Sequence, residues 1–261
     1  MEKTAIVTGG SSGIGRAAAD ALTRRGFRVY ELSRHGADRD GITHIRADVT
    51  DDDSVRRAVE QVVSETHRID ALVTCAGMGV SGPVEFISEE DVKRQFDVNL
   101  FGTMRCVKAV LPYMRKRCSG HILCVSSVAA VYPIPFQAHY SATKAAINAY
   151  ADALRTEVAP FGVRVTAIMP GDIATGFTDA RRKTRAGDDV YRSADSAVGK
   201  MENDERNGMD PSVVGEFIAK LAEKANPAPL YTVGGQYKAL VFLKRLFPVR
   251  CASAIVGKMY Q

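Results

Sequence analysis

The segment Thr8-Gly9-Gly10-Ser11-Ser12-Gly13-Ile14-Gly15 constrains this chain more than any other, because of what flanks it. An apolar run, residues 5–8, precedes it and reads as a buried strand. Residues 15–25 follow it and read as a helix, with apolar Ala17, Ala18, Ala21 and Leu22 at helical spacing. A strand, a glycine turn and a helix in that order begin a βαβ unit. Gly9 allows the tight turn, Gly13 lets the backbone approach a phosphate, and Gly15 allows close packing of helix on sheet. The N–H groups at a helix start add positive potential suited to a pyrophosphate. No Gly-Lys-Ser/Thr closes the motif, so it is not a phosphate-binding P-loop. The alternative is a glycine-rich turn that holds no ligand.

The rest of the chain repeats the alternation. Strands are predicted at 27–32, 42–47, 71–74, 120–126, 164–169 and 230–233, and helices at 51–66, 92–114, 140–159 and 211–224. Near-continuous apolar strands separated by helices predict an α/β fold with a parallel sheet covered on both faces. No repeat or low-complexity linker divides it, so 1–261 reads as one domain. Residues 178–210 carry many charges and few large apolar side chains. They are expected to form a solvated loop or polar helical excursion, and about 174–210 is a candidate substrate lid.

Two further features carry chemistry. The second strand ends Glu31-Leu32-Ser33-Arg34. An acid there would bind a free ribose 2′-hydroxyl; Ser33 is no acid, and Arg34 suits a 2′-phosphate, so NADP (NADPH) is favoured over NAD. Glu31 should alternate away from that edge. Tyr140 and Lys144 lie one helical turn apart and share a face. A phenol has a pKa of about 10, which a nearby ammonium lowers, making the pair a proton donor and acceptor for interconverting carbonyl and alcohol.

These motifs together resemble the short-chain dehydrogenase/reductase family over roughly residues 3–235, nearest to its 17-beta-hydroxysteroid and retinol dehydrogenase-like subgroup. The resemblance implies a Rossmann-type doubly wound fold, with seven parallel strands in the order 3-2-1-4-5-6-7. It implies cofactor contacts from Thr8, Gly9, Ser11, Ser12, Gly13, Ile14 and Gly15, from Ser33 and Arg34, and from Asp48 and Val49 on the adenine side. Ala76 and Gly77, Asn99, Tyr140 and Lys144, and Pro170, Gly171 and Thr175 complete that set. The family's Asn-Ala-Gly stands here as Cys75-Ala76-Gly77, so the bonding of that Asn must be met otherwise. The catalytic set is Asn99, Ser127, Tyr140 and Lys144; a spacing of 13 residues before Tyr140 selects Ser127 over Ser126. By the same resemblance, Asn99 supports a water that links Lys144 to solvent. A homodimer or homotetramer through the long helices is also implied. The subgroup cues are Ser33-Arg34, the segment Val131-Tyr132-Pro133-Ile134-Pro135-Phe136, and an extended C-terminus.

The expected pocket residues, Met78, Gly79, Val80, Ala129, Val131, Pro133, Phe136, Gly171 and Phe177, are mostly apolar. They point to an oxidoreductase acting on a hydrophobic carbonyl or alcohol, such as a steroid, retinoid or lipid-like ketone. A 3-oxoacyl-thioester reductase is the alternative. His139 reads as a rim or surface residue. Residues 237–261 form a basic amphipathic extension that packs on its own domain or a partner subunit, or else touches a membrane peripherally. The formal charge of +5 is mixed in sign and argues against nucleic acid. The cysteines form no metal-ligand pattern, so no metal is expected. Their odd number, with no apolar stretch of about 18 residues, fits a cytoplasmic enzyme.

Overall fold

Short strands buried on both faces require helices on both sides, and the computed structural model has that arrangement. It describes residues 2–187 and 189–244, together with 246, 250 and 257. In chain order the first elements are β1 (Lys3–Thr8), α1 (Gly13–Arg24), β2 (Phe27–Ser33), β3 (Ile42–Arg46), α2 (Asp52–Thr66) and β4 (Ala71–Thr74). The middle of the chain forms β5 (Val80–Ser81), α3 (Glu89–Phe96), α4 (Gly102–Lys116), β6 (Gly120–Val125), α5 (Ala138–Val158) and β7 (Val163–Pro170). The last part forms β8 (Arg182–Lys183), α6 (Ala194–Arg206), α7 (Pro211–Ala222), β9 (Leu230–Val233) and α8 (Gly235–Lys244).

The main sheet is parallel, with seven strands in the order β3-β2-β1-β4-β6-β7-β9. Counted within that sheet, this is the expected order. Successive side chains divide between two cores, as a period of two requires. Ile6, Leu72 and Ile122 face one core with Val59, Val110 and Ile147 of α2, α4 and α5. Val7, Val73 and Leu123 face the other with Leu22 and Ile218 of α1 and α7. Each fully buried aliphatic side chain contributes roughly 1.5–3 kcal/mol. The winding reverses between β1 and β4, which opens a crevice at their carboxyl ends.

The helix predicted at 92–114 runs instead from Glu89 to Lys116, because Ser88 caps its start by accepting from the Asp91 N–H at 3.1 Å. Its interior is interrupted by a π turn, Asp97–Phe101, which holds Asn99. Such turns shift the helix register by one residue and often mark functional positions.

Of the two forms expected for residues 178–210, the described residues take the polar helical excursion, α6, with the short strand β8 before it. β8 pairs in parallel with β5, and α6 buries Ala194, Ala197, Val198 and Met201 at helical spacing. The charges largely satisfy one another. Buried Arg181 pairs with Glu205, Lys183 with Glu202 at 2.5 Å, and Arg206 with Asp179 at 3.0 Å. In the tail, α8 packs on its own domain, with Leu240 and Val241 against Val128 and Tyr132. Most of the extension beyond 244 lies outside the described residues.

Candidate active site

The glycine turn forms one end of a cavity of about 480 Å³ at the crevice. Gly9 and Gly13 take positive φ, +65° and +51°, where a side chain would be strained. At Gly15 a Cβ would collide with the Gly9 carbonyl, so helix and turn pack as closely as the motif required. Ser12, at the N-cap of α1, makes no side-chain capping bond. The first-turn N–H groups beside it therefore remain available to an anion at the cavity edge, and these residues fit a dinucleotide pyrophosphate. Thr8 lies buried beneath, where its hydroxyl accepts from the Cys75 and Ala76 N–H groups, each at 3.2 Å. That hydroxyl supplies the strand-to-strand bonding that Cys75 cannot.

Arg34 and Asp48, expected on the adenine side, line a separate groove. Burial works to raise the Asp48 pKa, but the Thr50 N–H and hydroxyl, at 2.9 and 2.8 Å, and nearby Arg34 and Arg94 outweigh it and hold the carboxyl below its usual range. Ser33 donates to the His35 carbonyl at 3.1 Å. Glu31 does turn inward, fully buried against His44 at 2.5 Å. Val49 is not at the groove wall; it is buried in the core, against Gly102. Ser11 sits in the glycine turn but outside the cavity lining.

The end of β6 and the start of α5 bring the catalytic candidates together. Ser126 and Ser127 diverge. The Ser126 hydroxyl donates to the Lys144 carbonyl at 2.9 Å and ties α5 to the sheet, whereas the Ser127 hydroxyl lies beside the Tyr140 phenol. Lys144 Nζ is 5.6 Å from the Tyr140 ring centroid and donates to the Val125 carbonyl at 2.9 Å. Burial pushes the Tyr140 phenol up to about 12, with Ser127 pulling the other way, and pushes Lys144 down to about 8. The lowering expected from Lys144 is not what dominates at Tyr140: desolvation raises the phenol, and the Lys144 ammonium is turned toward the Val125 carbonyl. A phenol in that state is a proton donor at neutral pH.

Asn99 is fully buried behind this group. Its Oδ1 accepts from the Met78 N–H at 2.8 Å, and its Nδ2 donates to the Met78 carbonyl at 3.0 Å and to the Thr143 hydroxyl at 3.2 Å. These bonds join the loop after β4 to the catalytic helix.

Ala76, Gly77, Pro170, Gly171 and Thr175 line the cavity as expected, as do Ala129 and Phe177. Met78, Gly79, Val80, Val131, Pro133 and Phe136 lie outside its lining. The Gly79 carbonyl and Val80 instead serve the pairing with β8. His139 is also outside the lining, half-buried, with an unpartnered Nε2. The walls also contain Gln137 and Asp172, which the sequence did not single out, with Tyr132 from the 131–136 segment, Asp204 and Glu205 from the 174–210 lid, and Tyr237 and Leu240 from the C-terminal extension. Asp172 carried one signal, its place directly after Pro170-Gly171.

Residues 3–186 match the short chain dehydrogenase family. The chain belongs to this family. It is 41% identical over 243 residues to a 3-ketodihydrosphingosine reductase of Bacteroides thetaiotaomicron, covering 92% of this chain and 90% of that one. A short-chain dehydrogenase from Streptomyces avermitilis superposes with a TM-score of 0.85 at 28% identity, over 99% of this chain and 97% of that one. ElxO, solved with NADP bound, superposes with a TM-score of 0.76 at 24% identity, over 92% and 100%. As a short-chain dehydrogenase the protein is an oxidoreductase, and the Ser127, Tyr140 and Lys144 cluster lies where one cavity joins the glycine turn to a partly apolar wall. No helix among the described residues is long and apolar enough to cross a membrane.

Proposed function

We propose that the protein is an NADPH-dependent reductase of a ketone on a hydrophobic, lipid-like substrate. The observation that carries this reading is the Tyr140 phenol, flanked by the Ser127 hydroxyl, in one cavity with the glycine turn and with Val128, Tyr132, Ile134, Phe177 and Leu240 in its lining. When bound, the cofactor supplies hydride to the carbonyl carbon. Ser127 holds the carbonyl oxygen as negative charge develops there, and Tyr140 passes its phenolic proton to that oxygen. Lys144, joined to the Val125 carbonyl, keeps a positive charge behind the phenol. Arg34, exposed at the groove, takes the 2′-phosphate, which agrees with the NADP bound to ElxO. Similarity to the Bacteroides 3-ketodihydrosphingosine reductase supports a long-chain ketone. The segment 174–210 covers the substrate through Phe177, Ala180, Asp204 and Glu205.

The same reading places the chain near the hydroxysteroid and retinol dehydrogenase-like subgroup. It pairs two copies through the outer faces of α4 and α5. It also assigns the exposed Phe242 and Leu243 of α8 to contact with a lipid surface that delivers the substrate.

The test follows NADPH and NADH oxidation against 3-ketodihydrosphingosine, a steroid ketone, retinal and a 3-oxoacyl thioester. Turnover of a lipid ketone with NADPH is expected, with Tyr140→Phe reducing kcat by about 10²–10⁴-fold while the cofactor still binds. Thioester turnover far above that of every lipid ketone would replace this reading with the 3-oxoacyl-thioester one.

A further inference from the structure

The charge balance of the catalytic cavity is unusual for a pocket that takes a neutral ketone. Among the described residues its lining carries one cation, Lys144, and three carboxylates, Asp172, Asp204 and Glu205. Lys144 is engaged by the Val125 carbonyl. Glu205 is neutralised by buried Arg181 and accepts from the Thr178 hydroxyl at 2.6 Å. That leaves Asp172 and Asp204, to which no ion pair is made among the described residues.

Asp172 is held in place. It follows Gly171, where a Cβ would collide with the Tyr237 ring, so the missing side chain lets α8 bring that ring across the loop. The Tyr237 hydroxyl donates to Asp172 Oδ2 at 2.5 Å. Burial, with Glu205 and Asp204 nearby, pushes the Asp172 carboxyl above its usual range against the opposing pull of the Tyr237 hydroxyl and of Arg181, an electrostatic cost that an incoming cation would relieve. The wall also lies close to the chemistry, since the charges of Glu205, Arg181 and Asp172 are all felt at the Tyr140 phenol. An anionic wall here favours a positively charged substrate. It repels a thioester whose carrier arm bears phosphate.

Resting on the reductase reading above, we propose that Asp172, backed by Asp204, forms an ammonium subsite in the catalytic cavity. The substrate class is then a long-chain ketone with a protonated amine on the carbon next to the carbonyl. No group beyond the cofactor's hydride and the Tyr140 proton is needed, because the ammonium is bound and not transformed.

The experiment compares kcat/KM with NADPH for three ketones of equal chain length: 3-ketodihydrosphingosine, its N-acetyl derivative and the analogue lacking the amine. One charged hydrogen bond predicts that the wild type prefers the free amine by about 10–150-fold, and that this preference fades as pH rises through the amine's own pKa. In Asp172→Asn the ratio should collapse to within about threefold, with the melting temperature retained as a check on folding. Asp204→Asn, on the half-exposed face of α6, should reduce the same ratio less, and it serves as the readout if Asp172→Asn does not fold. An unchanged ratio in the folded variants, or a wild type that reduces all three ketones equally, overturns the subsite and leaves the reductase reading standing. Failure of the wild type to reduce any of the three overturns the subsite, and failure on the steroid ketone and retinal as well overturns both.

Discussion

Replacing Asn99 by alanine removes three hydrogen bonds that join otherwise separate parts of the site: two to the Met78 main chain and one to the Thr143 hydroxyl. At about 1 kcal/mol net each they amount to roughly 3 kcal/mol, and water reaching half-buried Met78 recovers little of it because Asn99 itself is fully buried. For a chain of this size that corresponds to a melting temperature lower by about 6–12 °C. Activity should fall further than stability accounts for. Thr143 precedes Lys144 and Met78 follows Gly77, so losing these bonds frees both the catalytic helix and a cavity wall. A misplacement of that kind costs about 10–100-fold in kcat/KM, measured well below the melting transition. Asn99→Asp is the stricter variant. It keeps an acceptor for the Met78 N–H but sets a carboxylate against the Met78 carbonyl and against a Thr143 hydroxyl that already donates to the Tyr140 carbonyl at 2.7 Å. Aspartate should therefore be no better than alanine. A melting temperature within about 1 °C of wild type, together with full turnover in both variants, would refute the reasoning.

Arg34→Ala should raise KM for NADPH by about 10–150-fold and leave KM for NADH nearly unchanged; equal shifts for both cofactors would remove the 2′-phosphate role. His121 lies fully buried in β6, 3.0 Å from the Thr166 hydroxyl, and burial pushes its pKa down to about 3. Below its ordinary value of about 6.5 the unfolded chain binds a proton that the folded chain refuses, so stability is lost as pH falls from there toward about 3. The full shift corresponds to a loss of up to roughly 5 kcal/mol. His121→Gln should flatten that slope in acid-unfolding titrations, and an unaltered slope would assign the acid sensitivity to other groups.

The sequence alone carried the βα alternation, the glycine turn and the Tyr140–Lys144 spacing. Each is a local property: strand period, turn conformation and helix pitch place those groups within a few residues of one another. The family resemblance selects Ser127 over Ser126, and the end of β6 and the start of α5 set the Ser127 hydroxyl beside the Tyr140 phenol. The cavity walls were not legible in this way. Asp172 meets Tyr237 across 65 residues, and Arg181 meets Glu205 of α6 across 24. Val80 looked like pocket lining until its backbone proved committed to β8. The protonation of Tyr140 depended on the fold for the same reason. Lys144 lies only one helical turn away, but desolvation sums over every group packed around the phenol, and those groups come from segments that meet only when the chain folds.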